Sequence, residues 1–90
     1  MAFDPDASWR LSPQVAVRPE PFGALLYHFG TRKLSFLKDR TLVEIVQSLG
    51  EQPSARAAVE AAGVAESAQR TYIGAVGALA DSHMVVQRGS

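Results

Sequence analysis

The stretch ALLYHFGTRKLSFL, residues 24–37, decides how this chain of 90 residues folds. It contains two apolar-rich runs, Ala24 to Phe29 and Arg32 to Leu37, joined through Gly30-Thr31. Their aromatic, leucine and threonine side chains suit a pleated, half-buried surface, and a short glycine-containing connection favours an antiparallel hairpin. No later run looks like a strand that could cover the second run. We therefore expect residues 32–37 to form a sheet edge with unpaired backbone N–H and C=O groups.

The flanking residues predict an α+β domain. Upstream, Val15 and Val17 alternate with polar or small residues, which indicates a first strand that ends at Pro19-Glu20-Pro21. Downstream the apolar period changes to 3.6, which predicts helices. Three helices are expected, starting at Asp39 or Thr41, at Ser54, and at Glu66 or Ser67, and ending near Gly50, Gly63 and Ser82. The expected architecture is a three-stranded antiparallel sheet followed by three helices, with a short extended segment at residues 83–86.

The length and composition of the chain limit the classes of protein to which it can belong. We expect one domain over residues 9–86, with a flexible N-terminal tail at 1–8 and a C-terminal tail at 87–90. Nine basic and nine acidic residues balance, so no overall field attracts nucleic acid or an anionic membrane. The absence of cysteine removes thiolate metal sites and disulfides and fits a cytoplasmic protein. No apolar run reaches the roughly 18 residues that a membrane span requires.

Catalytic patterns are absent from the sequence. His28 and His83 are the only histidines, and neither is spaced from a carboxylate or from the other as a metal site requires. The glycines form no phosphate-binding loop, and no GxSxG motif occurs. We interpret His28 as a half-exposed strand residue and His83 as a residue near a helix C-terminus. The prediction is a protein that is not an enzyme and holds no cofactor.

Three features are candidates for binding, and each has a structural alternative. The edge at residues 32–37 either accepts another strand or is simply exposed and protected by its cations. In the third helix, Arg70, Gly74, Gly77 and Asp81 share a face beside the core stripe. Interior glycines cost about 1 kcal/mol each relative to alanine, so they indicate either a shallow groove or close packing on the second helix. The third feature is a set of cations that either contact an anionic partner or are solvated: Arg18, Arg32, Lys33 and Arg70.

The second and third helices also resemble a helix-turn-helix, which makes a winged-helix DNA-binding regulator the main alternative. The charges of the third helix argue against this DNA-binding alternative. The third helix brings Arg70 as a cation against Glu66 and Asp81, whereas DNA binding usually requires several phosphate contacts. A plain subunit-interaction domain is a further alternative.

The segment RPEPFGALLYHFGTRKLSFL, residues 18–37, resembles the PqqD-like family of peptide-recognition domains, and within it the small peptide chaperones of mycofactocin biosynthesis. The resemblance extends over residues 9–86. It implies a winged-helix-like domain that binds the leader of a ribosomally synthesised precursor peptide and delivers it to a radical SAM maturase. In such systems the iron–sulfur clusters belong to the enzyme, which agrees with a chain that lacks cysteine.

The resemblance also implies where the leader binds, because in the family it adds as a strand beside the third strand and lies against the third helix. Transferred to this chain, the peptide-binding residues are Arg32, Lys33, Leu34, Ser35, Phe36, Leu37, Arg70, Gly74 and Gly77. Two points stay open: which alternate residues of the edge strand face the core, and which face of the helix turns toward that edge. We expect a monomer or a weak homodimer, since the edge could also pair with a copy of itself.

Overall fold

The computed structural model describes residues 3–88 and has the predicted α+β class, with an antiparallel sheet followed by three helices. The fold also contains a second, two-stranded sheet, and a 3₁₀ turn follows the first helix. In chain order the elements are β1 (Trp9–Leu11), β2 (Val15–Glu20), β3 (Gly23–His28), β4 (Leu34–Leu37), α1 (Arg40–Ser48), α2 (Ala55–Ala61), α3 (Glu66–Asp81) and β5 (Val85–Gln87).

The main sheet has the order β2-β3-β4, with both pairs antiparallel. In its register, Leu26 in the central strand lies opposite Val17 on one side and Ser35 on the other. Because side chains alternate along a strand, these three point to the same face, which packs on the helices. The core between the sheet and the helices is built from Leu26, Leu37, Ile45, Val46, Leu49, Ala55, Ala58, Val59, Val76, Leu79, Met84 and Val85.

The predicted end of the first strand in the segment Pro19-Glu20-Pro21 is confirmed. β2 continues through Pro19 to Glu20, which pairs with Gly23 across a two-residue turn. Proline is tolerated here because β2 is an edge strand, where an outward position needs no N–H for the ladder.

The small sheet joins the two ends of the domain. Trp9 lies opposite Gln87 and Leu11 opposite Val85, so residues from the predicted start and end of the domain pair as β1 and β5. The Arg88 N–H extends this contact by donating to the Ser8 carbonyl at 2.8 Å. Residues 87 and 88, predicted as part of a tail, therefore contact the folded domain, while residues 89 and 90 lie outside the described residues.

Side chains cap the N-termini of α1 and α2. Asp39, one of two predicted caps of α1, accepts the Thr41 N–H at 2.8 Å, and Ser54 caps α2 by accepting the Ala57 N–H at 3.0 Å. Gly63 follows α2 with φ of +78°, the left-handed conformation that commonly ends a helix. The α3 helix begins at Glu66 and ends at Asp81, one residue before the predicted end.

The N-terminal segment, residues 3–8, lies against α2 and α3. The Ala55 and Arg56 N–H groups in the first turn of α2 donate to the Ala7 and Pro5 carbonyls, at 3.3 and 2.8 Å. These are donors that a helix cannot satisfy by itself, so the segment acts as part of the cap of α2. The flexibility predicted for residues 1–8 stays a prediction, and residues 1 and 2 lie outside the described residues.

Candidate functional site

The hydrogen-bond pattern between β3 and β4 determines which backbone groups of β4 are free. In an antiparallel pair, opposite residues alternate between hydrogen-bonded and non-hydrogen-bonded positions. His28 donates its N–H to the Lys33 carbonyl at 3.0 Å, so this pair is hydrogen-bonded. Two residues further along, Leu26 and Ser35 form the next bonded pair of the register. Ser35 therefore directs its N–H and C=O toward β3.

By the same alternation, Leu34 and Phe36 direct their N–H and C=O groups away from β3. They lie opposite Tyr27 and Leu25 at the non-bonded positions of the ladder. Within residues 3–88, these N–H groups have no other hydrogen-bond partner. The open edge of β4 thus presents two N–H and two C=O groups with the spacing that an added strand would pair with.

The opposite edge, β2, presents fewer donors. Its outward positions are Val15, Val17 and Pro19, because the pair before them, Gln14 and Phe29, is hydrogen-bonded. The Val15 N–H already donates to the Ser12 carbonyl at 3.0 Å, and Pro19 has no N–H. Only Val17 keeps an outward donor, so β2 is a poorer template for strand addition than β4.

The structure resolves which side chains of β4 face the core. Ser35 and Leu37 point inward, with Leu37 only 3% exposed, whereas Leu34 and Phe36 point to the outer face of the sheet and are 53% and 58% exposed. Both large apolar side chains of the edge strand therefore lie beside the backbone groups that are free to pair.

The turn between β3 and β4 is organised by His28, and the interpretation of this residue as half-exposed is wrong. His28 is 6% exposed, and its Nδ1 accepts the backbone N–H groups of Gly30 and Thr31 at 3.0 and 3.1 Å. With Nδ1 as an acceptor, the neutral ring carries its proton on Nε2. The alternation of apolar residues along β3 does not reveal this cap.

Arg32 and Lys33, predicted as the first residues of the edge strand, lie in this turn. β4 begins at Leu34, and Arg32 adopts φ of +63°, a left-handed conformation that no regular strand contains. Both side chains are exposed at the start of the open edge. They therefore remain close to any strand added to β4.

The three predicted helix residues, Arg70, Gly74 and Gly77, lie on a different surface. Tyr72 marks the side of α3 that faces the end of β4, because its hydroxyl donates to the Asp39 carboxylate. At about 100° per residue, the three are offset from Tyr72 by about 140° to 160° around the helix. The structure does not bring them together with β4.

That surface of α3 is bordered by the N-terminal segment. A shallow pocket there is lined by Phe3, Arg70, Ile73, Gly74, Gly77, Ala78 and Asp81. A Cβ added to Gly77 would lie 3.3 Å from the Phe3 ring, whereas one added to Gly74 would meet nothing within 4 Å. Gly77 thus accommodates Phe3 of the same chain, and no contact in the described residues explains Gly74.

The bond between Tyr72 and Asp39 is the main electrostatic feature near β4. The Tyr72 hydrogen bond, together with backbone N–H donors of Thr41 and Leu42, lowers the pKa of Asp39 below its ordinary value of 3.8. The same bond raises the pKa of Tyr72 above 10.0, because ionised tyrosine could not donate to the carboxylate. Asp39 therefore joins the end of β4, the start of α1 and the middle of α3 through one ionised carboxylate.

Within residues 3–88, the acidic, histidine and helical residues limit the kinds of site present. In that range no group of three or more histidine, cysteine or acidic side chains is placed to hold a metal ion. None of the helices described there has the length and apolarity to cross a membrane.

The family model of the "Peptide chaperone MftB family" matches residues 8–86, nearly the whole chain. The chain belongs to this family. A peptide chaperone of Mycolicibacterium smegmatis, MftB, is 66% identical over 86 residues, which cover 96% of this chain and 84% of the relative. MftB of Mycobacterium tuberculosis is 62% identical, over 96% of this chain and 79% of its own length.

A solved structure shows the same fold. A lasso peptide synthetase B1 complexed with the leader peptide matches with a TM-score of 0.70 and 25% identity, over 89% of this chain and 99% of that one. The chain therefore has the PqqD-like fold of a leader-binding domain. The MftB family name describes a chaperone, a binding role and not a catalytic one, which agrees with the prediction that the protein is not an enzyme.

Proposed function

We propose that this MftB-family chaperone binds the leader of a mycofactocin-type precursor by adding it as a strand to β4, and presents it to a radical SAM maturase. The observation that carries this proposal is the open edge at Leu34 and Phe36, whose N–H and C=O groups point away from β3. The structural neighbour bound to a leader peptide supports a peptide as the ligand. Main-chain hydrogen bonds would supply affinity, and alternate side chains would supply selectivity.

In this proposal, a different part of the chaperone contacts the added strand on each face of the sheet. On the outer side, Leu34 and Phe36 contact the leader side chains that point away from the helices. On the inner side, the wall is the half of α3 that carries Tyr72, since this half faces the end of β4. This differs from the transferred assignment of Arg70, Gly74 and Gly77, which lie on the surface bordered by Phe3.

The cations in the turn before β4 would favour a leader that carries negative charge. Arg32 and Lys33 are exposed at the start of β4 and would favour a leader with Asp or Glu at the matching end. Such charges raise the association rate and fix the register more than they increase affinity. We therefore expect a moderate loss of leader affinity as salt rises.

A winged-helix DNA-binding function has no comparable support. The exposed face of α3 carries Arg70 between the carboxylates Glu66 and Asp81, whereas DNA binding depends on the neutralisation of several phosphates. The family match points to a peptide chaperone instead.

The experiment is a calorimetric titration of a synthetic leader peptide into proline variants of β4. Phe36→Pro removes an outward N–H, and we expect it to weaken leader binding by about fivefold, the effect of roughly one lost hydrogen bond. Phe36→Ala is the matched control, because it removes the ring and keeps the N–H. Ser35→Pro removes an inward N–H and should lower the stability of the fold first.

Two results would overturn the proposal. If Phe36→Pro is folded and binds the leader as tightly as Phe36→Ala, the backbone of β4 is not the docking site. If the wild-type protein shows no leader binding, with or without the maturase, the peptide-chaperone function itself is refuted for this precursor.

A further inference from the structure

The outer face of the main sheet is apolar and uncovered. Its most exposed large side chains are Phe22, Phe29, Leu34 and Phe36, at 43%, 59%, 53% and 58%. The rings of Phe22 and Phe36 lie 6.2 Å apart, and Phe29 packs edge-on against Tyr27 at 5.1 Å. The helices pack on the opposite face, so nothing within residues 3–88 shields this one. Contiguous exposed apolar surface of this kind usually marks an interaction site.

The segment that forms this face has a basic rim, defined as its five exposed cations. Between residues 15 and 40 the chain has two acidic side chains, Glu20 and Asp39; Glu20 Oε1 lies 3.9 Å from Arg18 Nε, and Asp39 is occupied by its bonds to Tyr72 and Thr41. Because the whole chain is neutral, the remaining residues have an excess of negative charge. The five cations of this range are Arg18, Arg32, Lys33, Lys38 and Arg40, all of them exposed.

We propose that this outer sheet face, defined by Phe22, Leu25, Tyr27, Phe29 and Phe36 with its basic rim, docks the maturase that receives the leader. The proposal rests on the proposed function. The matching surface on the enzyme would be apolar at its centre and acidic around it, since charge complementarity of this kind steers encounter and fixes orientation.

Continuity with the leader edge favours the maturase over other occupants. A strand added to β4 extends the same sheet, so its outward side chains lie next to Phe36 and become part of the outer sheet face. An enzyme seated there would contact the chaperone and the leader at once. This arrangement explains how a leader could be recognised by the chaperone and still be presented to a second protein.

A second copy of this chain fits the outer sheet face poorly. In a two-fold dimer through this face the basic rims would oppose each other, which is unfavourable. A copy that offered its acidic helical side instead would make a head-to-tail contact, which forms open assemblies unless the rotation closes.

The experiment measures maturase binding to the chaperone loaded with leader, using Arg18→Glu and Phe29→Ala singly and together. Neither residue lies on β4, so leader affinity should stay within about twofold of wild type, while the double variant should bind the maturase at least about tenfold more weakly. Arg10→Glu is the matched control, because Arg10 is an exposed cation on β1, away from the outer sheet face.

The outcomes separate the two proposals. If the variants bind the leader normally and the maturase as tightly as wild type, the docking inference is wrong and the proposed function stands. If the wild type binds neither the leader nor the maturase, both proposals are wrong. Duplex DNA that binds wild type and is lost in Arg18→Glu would assign the basic rim to nucleic acid and overturn the inference.

Discussion

The Tyr72 hydroxyl donates to the Asp39 carboxylate and so links the middle of α3 to the residue that follows β4 and caps α1. Residues 33 positions apart in the chain are joined by this bond, at the end of the edge strand where a leader is proposed to bind. It is a polar contact that fixes the position of α3 relative to β4.

Replacing Tyr72 with Phe should lower stability at neutral pH, because the hydrogen bond to the Asp39 carboxylate is lost. The pKa of Asp39 is lowered in the fold, so its contribution is present above the ordinary carboxyl value of 3.8 and is lost as pH falls through the lowered pKa. The difference between wild type and Tyr72→Phe should thus be greatest near neutral pH and shrink in acid. Chemical denaturation at several pH values measures it.

The control is Asp39→Ala, alone and combined with Tyr72→Phe. In a double-mutant cycle the two substitutions should be non-additive, because each removes the same bond. A constant difference between wild type and Tyr72→Phe down to strongly acid pH would show that the phenol contributes through packing only.

Replacing His28 with Ala should destabilise the turn that starts β4. Two backbone N–H groups, those of Gly30 and Thr31, lose their acceptor, at a cost of about 1 kcal/mol because water can reach this exposed turn. His28→Asn should lose less, since the amide oxygen can accept in place of Nδ1. Equal losses for Ala and Asn, measured by thermal denaturation, would mean that the ring acts by packing and not as a cap.

The two glycines of α3 should respond differently to alanine. Gly74→Ala should stabilise the protein by up to about 1 kcal/mol, because alanine is the better helix former and the new Cβ meets nothing within 4 Å. Gly77→Ala should gain less or lose stability, since its Cβ would crowd the Phe3 ring at 3.3 Å. If denaturation experiments show that Gly74→Ala and Gly77→Ala gain the same stability, Phe3 does not contact Gly77 in solution.

Charge reversal at Lys33 and at Arg70 should have different effects on leader affinity. Lys33→Glu, in the turn before β4, should weaken the binding of an acidic leader by severalfold at low salt and by less at high salt. Arg70→Glu should leave leader affinity within about twofold, because Arg70 lies on the far side of α3. A larger effect of Arg70→Glu, measured by titration with the same leader, would show that the peptide reaches the surface bordered by Phe3.

Local patterns predicted most of the fold. The hairpin of residues 24–37, the Ser54 cap and the start of α3 at Glu66 all follow from side-chain periodicity or capping chemistry within a few residues. The pairing of Trp9 with Gln87 could not be predicted this way, because it joins residues nearly a chain length apart and each strand has only three residues.

The candidate site was predicted only in part for the same reason. The sequence identifies β4 as an edge, but whether Ser35 or Phe36 faces outward depends on the register with β3. A shift of one residue would exchange the two sets. The helix trio was grouped correctly as one face of α3, yet the direction of that face is fixed by the Tyr72 bond to Asp39, which no local pattern indicates.

Residue-resolved amide hydrogen exchange of the chaperone, with and without its leader peptide, reports directly whether the leader pairs with β4. Strand addition to β4 predicts that the Leu34 and Phe36 amides exchange quickly in the free protein and become protected when leader binds, because they acquire hydrogen-bond partners. The Ser35 and Leu37 amides should be protected already. Leader-dependent protection at Val17 of β2 or along α3, with Leu34 and Phe36 unchanged, would contradict the account.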